Sequence, residues 1–256
     1  MRYSEGVAPY YDLFGPPNKP PDEAAEFLIP LLQPDAAALD VGAGTGTTAF
    51  ALAQRGAFVT ALEPDAEMYA VMLARLASRF DIADRVTPIP QAAGFPLEGL
   101  FDVCTSLAVL HLLDDQRQDI VARYVAAMLR PGGKAVLEIP VVSSQRAQRP
   151  WSLTATRSLG RLHIEHHTQM ERTDNGEWIT RWKFMSYLDQ TVVNEVNRAF
   201  RWRPLTHERS EVLLESAGLS VVEEFGGYDR GAYVPLESRV RLVVARADNQ
   251  HSRELR

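Results

Sequence analysis

The chain has 256 residues, 46% of them hydrophobic, a single cysteine and a formal net charge of -6. That suits one large α/β domain with insertions, or one domain plus a small appendage, and the acidic balance argues against a nucleic-acid surface. No apolar run approaches the length of a membrane span, the first residues lack a secretory core, and Cys104 has no second cysteine to pair with, so a soluble cytoplasmic protein is expected.

In chain order, the aromatic run Tyr10-Tyr11-Asp12-Leu13-Phe14 precedes a Gly15-Pro16-Pro17 hinge and a helix expected over 21–32, closed by Pro34. Strands are expected at 37–41, 57–62, 85–89 and 102–107, with helical patterns at 47–53, 66–79 and 114–129 between and after them. The stop at Pro131-Gly132-Gly133 precedes a fifth strand at 134–139. This alternation calls for a parallel sheet. Beyond Pro140 it breaks, and 141–160 carry no clear period. Three antiparallel strands are expected at 161–171, 177–188 and 195–204, the first two joined by the hairpin turn Asp174-Asn175-Gly176. The middle strand sets Trp182, Phe184 and Leu188 on one apolar face. A helix at 206–217 and strands at 219–225 and 239–245 return the chain to the sheet.

The chemistry is concentrated at Asp40-Val41-Gly42-Ala43-Gly44-Thr45-Gly46, where a buried-strand pattern ends in an acid and a glycine turn opens a helix. Such a turn leaves backbone N–H groups unpaired and lets a ligand approach bare main chain. The second strand ends at Glu63-Pro64-Asp65, and a carboxylate at that tip can accept both hydroxyls of a ribose. Nicotinamide-cofactor enzymes use the same acid. Their glycine spacing, however, is G-x-G-x-x-G, and here the glycines alternate.

The acid followed by G-x-G-x-G, with Glu63 and the Leu-Arg-Pro-Gly-Gly-Lys turn at 129–134, resembles the class I S-adenosylmethionine (SAM)-dependent methyltransferases. The likeness covers roughly 36–139 and 206–246. It implies an α/β, Rossmann-like, seven-stranded mostly parallel sheet with a C-terminal antiparallel hairpin and a small antiparallel lid insert. The expected organisation is an N-terminal arm (1–34), a SAM-binding core (35–140), the lid (141–205), the rest of the core (206–247) and a tail (248–256). The layout resembles small-molecule methyltransferases of natural-product pathways, particularly antibiotic-pathway N- or O-methyltransferases.

The resemblance assigns the cofactor's amino-acid end to Asp40, Gly42, Ala43, Gly44, Thr45 and Gly46, its ribose to Glu63, and its adenine to Pro64, Met68, Gln91 and Ala92, with Leu107 lining the site. Gln91 stands where the family commonly has an acid, and its side-chain carbonyl could accept the same N–H. His111, just past the fourth strand, is the candidate proton acceptor, with a structural role as the other reading. Tyr11 is expected to reach the cofactor carboxylate or the substrate, or else to staple the arm to the body, and the arm to close over the cofactor. His163, His166 and His167 read as polar lid residues without a metal, and Arg201 and Arg203 as a solvated face or an anion grip.

The expected reaction is in-line methyl transfer to O, N or C of a small molecule. The alternative is an enzyme that binds SAM without methylating, through internal displacement or with SAM as a structural cofactor. A homodimer is compatible with this reading. The tip at Ser106-Leu107-Ala108-Val109 lacks the Asn/Asp-Pro-Pro-Tyr run of amino-directed DNA methyltransferases.

Overall fold

The computed structural model describes residues 6–14 and 23–248. The Gly15-Pro16-Pro17 hinge, the start of the 21–32 helix and the tail beyond 248 lie outside them. The chain divides into two compact units.

The larger unit, described over 23–145 and 204–248, is an α/β layer structure. Its strands are β1 (Ala37–Val41), β2 (Phe58–Leu62), β3 (Val86–Ile89), β4 (Phe101–Ser106) and β5 (Leu129–Pro140), with β10 (Leu219–Phe225) and β11 (Val240–Ala247) arriving late in the chain. The sheet order is β10-β11-β5-β4-β1-β2-β3. β1 to β5 pair in parallel, while β11 runs antiparallel to both β5 and β10. The alternating sides of β1 show how a parallel strand buries both faces. Leu39 and Val41 enter one apolar layer with Val121, Val125 and Leu213, whereas Ala38 enters the other with Phe27, Phe50 and Leu52.

Helices α3 (Thr47–Gln54), α4 (Ala66–Ala77), α5 (Asp115–Met128) and α6 (His207–Ser216) are α-helical connections around this sheet. Three of them begin on side-chain caps at Asp65, Asp114 and Thr206, each accepting a first-turn backbone N–H.

Two expectations change here. The N-terminal helix is α only over α2 (Glu23–Leu28) and tightens to a 3-10 turn at Ile29–Leu31, because Pro30 has no N–H to continue the α ladder. β5 starts at Leu129, earlier than expected, running through the Pro-Gly-Gly turn with a register shift between the pairs Phe101–Leu129 and Val103–Lys134. Gly133 is needed there, since a Cβ would sit 2.9 Å from the Phe101 carbonyl oxygen. Pro88 is tolerated in β3 because β3 is the edge strand.

The smaller unit, described over 6–14 and 146–203, has an antiparallel sheet in the order β6-β7-β8-β9 and a short helix, α1 (Ala8–Phe14). The strands are β6 (Arg149–Leu159), β7 (Leu162–Arg172), β8 (Trp178–Leu188) and β9 (Thr191–Trp202). The sequence leads one to expect three. β6 escaped because it is exposed along nearly its whole length and carries two register irregularities, so burial imposes no alternation on its residues. The hairpin turn at 174–176 joins β7 to β8, with Gly176 at φ +83°. On β8, Trp182 and Phe184 are buried as expected and Trp178 joins them, but Leu188 is 43% exposed at the strand end. His166 also departs from the polar reading. It is buried and stacked on Phe184 at 4.4 Å, and burial lowers its pKa to about 4, with the charge of His167 adding to the effect.

Candidate functional site

At the carboxyl end of the parallel strands, β1 and β2 deliver two acids to one glycine turn. The turn is tied to β2 through the N–H groups of Gly42 and Ala43, both donated to the Leu62 carbonyl at 2.9 Å. Gly42, Gly44 and Gly46 all have positive φ, the region that L side chains avoid. At Gly42 and Gly46 space is limiting as well. A Cβ on Gly42 would sit 2.4 Å from Val109 Cγ2, and one on Gly46 would meet Phe50 and Met72 below 3 Å. A Cβ on Gly44 would meet nothing within 4 Å, so that side of the turn is open.

Glu63 closes the turn from the other side. One carboxylate oxygen accepts the Gly44 N–H at 2.7 Å and the other accepts the Asp65 N–H at 2.8 Å. Burial pushes its pKa up to about 7, against the pull of these two N–H groups. Asp40 is buried at the tip of β1, where Thr105 of β4 donates its hydroxyl to Oδ1 at 2.7 Å. Its Oδ2 is buried without a partner, and burial raises the pKa to about 6. A buried carboxylate oxygen left unpaired is costly unless something else supplies a donor. These groups fit a nucleoside with a cationic amino-acid tail. Asp40 has a free acceptor for an ammonium, Gly44 faces open space, and each Glu63 oxygen retains a lone pair for a hydroxyl.

The remaining residues fall around this centre. Thr45 is buried and Ala43 packs on the apolar layer. Pro64 is exposed, and Met68 is buried in the first turn of α4, its N–H accepted by Asp65. Gln91 and Ala92 are exposed just after β3, whose Ile89 carbonyl accepts the Glu63 N–H at 3.1 Å. The loop after β3 therefore adjoins the acid of β2. Leu107 is half-buried on the same apolar layer as Ala43.

His111 lies half-buried in a 3-10 turn at Leu110–Leu112, directly beyond β4. Gln118 of α5 holds this turn, donating from Nε2 to the carbonyls of Leu110 and Leu113 at 3.0 and 3.2 Å. Val109 meanwhile packs against Gly42. The histidine turn and the glycine turn are thus neighbours. Tyr11 belongs to the smaller unit, where it packs on Val7, Trp182 and Phe184.

Sequence reasoning missed three contributors. Thr105 becomes visible only through the register that sets it beside Asp40. Ala108, at φ +56°, turns the chain sharply after β4, and nothing in an alanine announces a left-handed residue. Arg75, discussed below, is an ordinary helix cation by sequence. In the smaller unit, Arg201 and Arg203 both face Glu177, at 3.6 and 3.1 Å, and His167 and His163 flank Glu165 at 2.8 and 3.9 Å.

Residues 38–133 match the model of a methyltransferase domain. No curated protein matches the chain by sequence. Among solved structures, the CcbJ methyltransferase from Streptomyces caelestis is similar over 97% of this chain and 98% of its own, at 22% identity and a TM-score of 0.78. The sugar N-methyltransferase KedS8 from a Streptoalloteichus species is similar over 93% of each chain, at 19% identity and a TM-score of 0.73. CalS10 from Micromonospora echinaspora, an amino pentose methyltransferase solved with SAM bound, is similar over 96% of this chain and 98% of its own, at 20% identity and a TM-score of 0.72. Residues 38–133 thus carry the pattern of a methyltransferase domain, and the chain as a whole shares the fold of these methyltransferases. Among the described residues, no helix is long and apolar enough to cross a membrane.

Proposed function

We propose that the enzyme methylates an amine nitrogen of a small molecule, with the cofactor held between the glycine turn and Glu63. The observation that carries the reading is the meeting of Gly44 N–H with Glu63 beside an Asp40 oxygen that lacks a donor. The choice of nitrogen is supported by the names of two structurally similar proteins, a sugar N-methyltransferase and an amino pentose methyltransferase. When bound, SAM supplies an electrophilic methyl carbon on a sulfonium that leaves as a neutral thioether.

The chain's own residues then have three tasks. Asp40 accepts from the ammonium of the amino-acid tail and Glu63 from the ribose hydroxyls, which fixes both ends of the donor. The open space beside Gly44 leaves room for that tail. His111 sits beside the glycine turn and takes the proton that the acceptor nitrogen must shed to become a nucleophile. Holding donor and acceptor in line contributes on the order of 7–11 kcal/mol.

The test is incubation with SAM and a panel of amino sugars, each paired with its hydroxyl analogue. Mass spectrometry should find S-adenosylhomocysteine together with an acceptor heavier by one methylene, for amines only. Methylation confined to hydroxyl acceptors would overturn the nitrogen assignment. Methylthioadenosine in place of S-adenosylhomocysteine would overturn methyl transfer itself.

A further inference from the structure

Arg75 stands in the last turn of α4, at the opposite end of that helix from Glu63 and Asp65, and yet its guanidinium reaches back to the glycine turn. Its Nη1 donates to the Thr45 carbonyl at 2.8 Å, to the Thr45 hydroxyl at 3.1 Å and to the Thr47 hydroxyl at 3.1 Å. The guanidinium carbon lies 5.1 Å from the centre of the Phe50 ring. One side chain therefore joins the last residues of the turn to the first residue of α3, and stacks on the ring that a Cβ at Gly46 would strike.

The turn needs such a fastening. Three residues within five positions occupy left-handed backbone, and glycine has more conformational freedom to lose on folding than any other residue. α3 offers little help, since Gly46 occupies its N-cap position and provides no side chain to cap the helix. α4 is well suited to brace the turn because its own start is fixed by Asp65, immediately beyond Glu63, with Asp65 N–H bound to Glu63 and Asp65 Oδ1 capping the helix. The far side of that helix then returns through Arg75 to Thr45.

We propose that Arg75 is a positioning residue of the cofactor site. It acts as a latch from α4 that holds the glycine turn in its binding shape and makes the amino-acid end of the cofactor site depend on the helix behind the ribose acid. This rests on the reading of the turn and Glu63 as the SAM site. One nitrogen, Nη1, meets all three oxygens while the guanidinium plane lies over the Phe50 ring, and a lysine ammonium reproduces the first set of contacts better than the second.

Two measurements on Arg75→Met and Arg75→Lys test it. In the ligand-free protein, amide hydrogen exchange over 42–48 should quicken at least tenfold in Arg75→Met and less in Arg75→Lys; unchanged exchange overturns the latch whatever the site binds. By calorimetry, Arg75→Met should weaken S-adenosylhomocysteine at least tenfold. Methylthioadenosine, which has the same nucleoside without the amino-acid tail, should change less than threefold. Equal losses for both ligands would mark Arg75 as a general structural residue and overturn the proposal. Arg79→Ala, which removes an exposed ion pair with Asp81 just beyond α4, should leave both affinities as in the wild type. If the wild type binds neither ligand, the cofactor reading of the site fails. The exchange experiment still decides whether Arg75 holds the turn.

Discussion

At the scale of single residues, the glycine turn separates conformational need from steric need. Ala at Gly44 meets open space and bears only the left-handed backbone penalty, about 1–2 kcal/mol. Ala at Gly42 bears that penalty and also collides with Val109, so urea unfolding should show Gly42→Ala clearly the less stable of the two. Adding Val109→Ala should recover part of the difference. On the proposed cofactor site, where Glu63 accepts from the ribose hydroxyls, Glu63→Ala should weaken SAM binding by roughly 1–3 kcal/mol, measured by calorimetry. His111→Ala should lower turnover while sparing SAM affinity, and steady-state kinetics beside a binding titration separates the two. Full turnover in that variant would assign the histidine to packing. These side chains could be picked out of the sequence because acids at strand tips and glycines in alternation leave a pattern. Arg75 and Thr105 left none, since their value comes from what stands opposite them.

At the scale of elements, the late strands are tied to the core through one buried cation. Arg241 of β11 is 3% exposed and meets Glu224 of β10 at 2.7 Å, the Ser210 hydroxyl of α6 at 2.8 Å, and Glu211 of α6. Removing one carboxylate leaves the other in place, and Glu211 is half-exposed, so Glu211→Ala should cost at most about 1 kcal/mol. Arg241→Ala removes every link at once and empties a buried position. It should cost about 2–4 kcal/mol by urea unfolding, and equal losses in the two variants would refute this account. The sequence announced β11 by its apolar run but was silent on the arginine within it. Similarly, β6 went unread because an exposed edge strand has no face to bury, and burial is what writes alternation into a strand.

At the scale of the whole molecule, two buried acids make stability and binding respond to pH in opposite directions. Burial lifts Asp40 to about 6 and Glu63 to about 7 in the fold, above their ordinary values of 3.8 and 4.5 in an unfolded chain. Between about pH 4 and 7 these two acids therefore hold more protons in the native state than in the unfolded one, whereas His166 holds fewer between about pH 4 and 6.5, so the ligand-free protein should lose stability as pH rises above about 6.5, where only the acids act. Its melting temperature should fall from about pH 6.5 to 7.5, while affinity for S-adenosylhomocysteine rises as the two carboxylates charge. A melting temperature independent of pH in a series where Asp40→Asn behaves as the wild type would contradict this. What the sequence determined alone was local in origin: the strand-and-helix alternation, the bare glycine bend, the acids that end β1 and β2, and hence the class of fold. The tertiary structure decided which distant groups complete those acids, because hydrogen bonds between strands and from α4 to the turn depend on register and approach, and neither is encoded by the spacing of residues within one element.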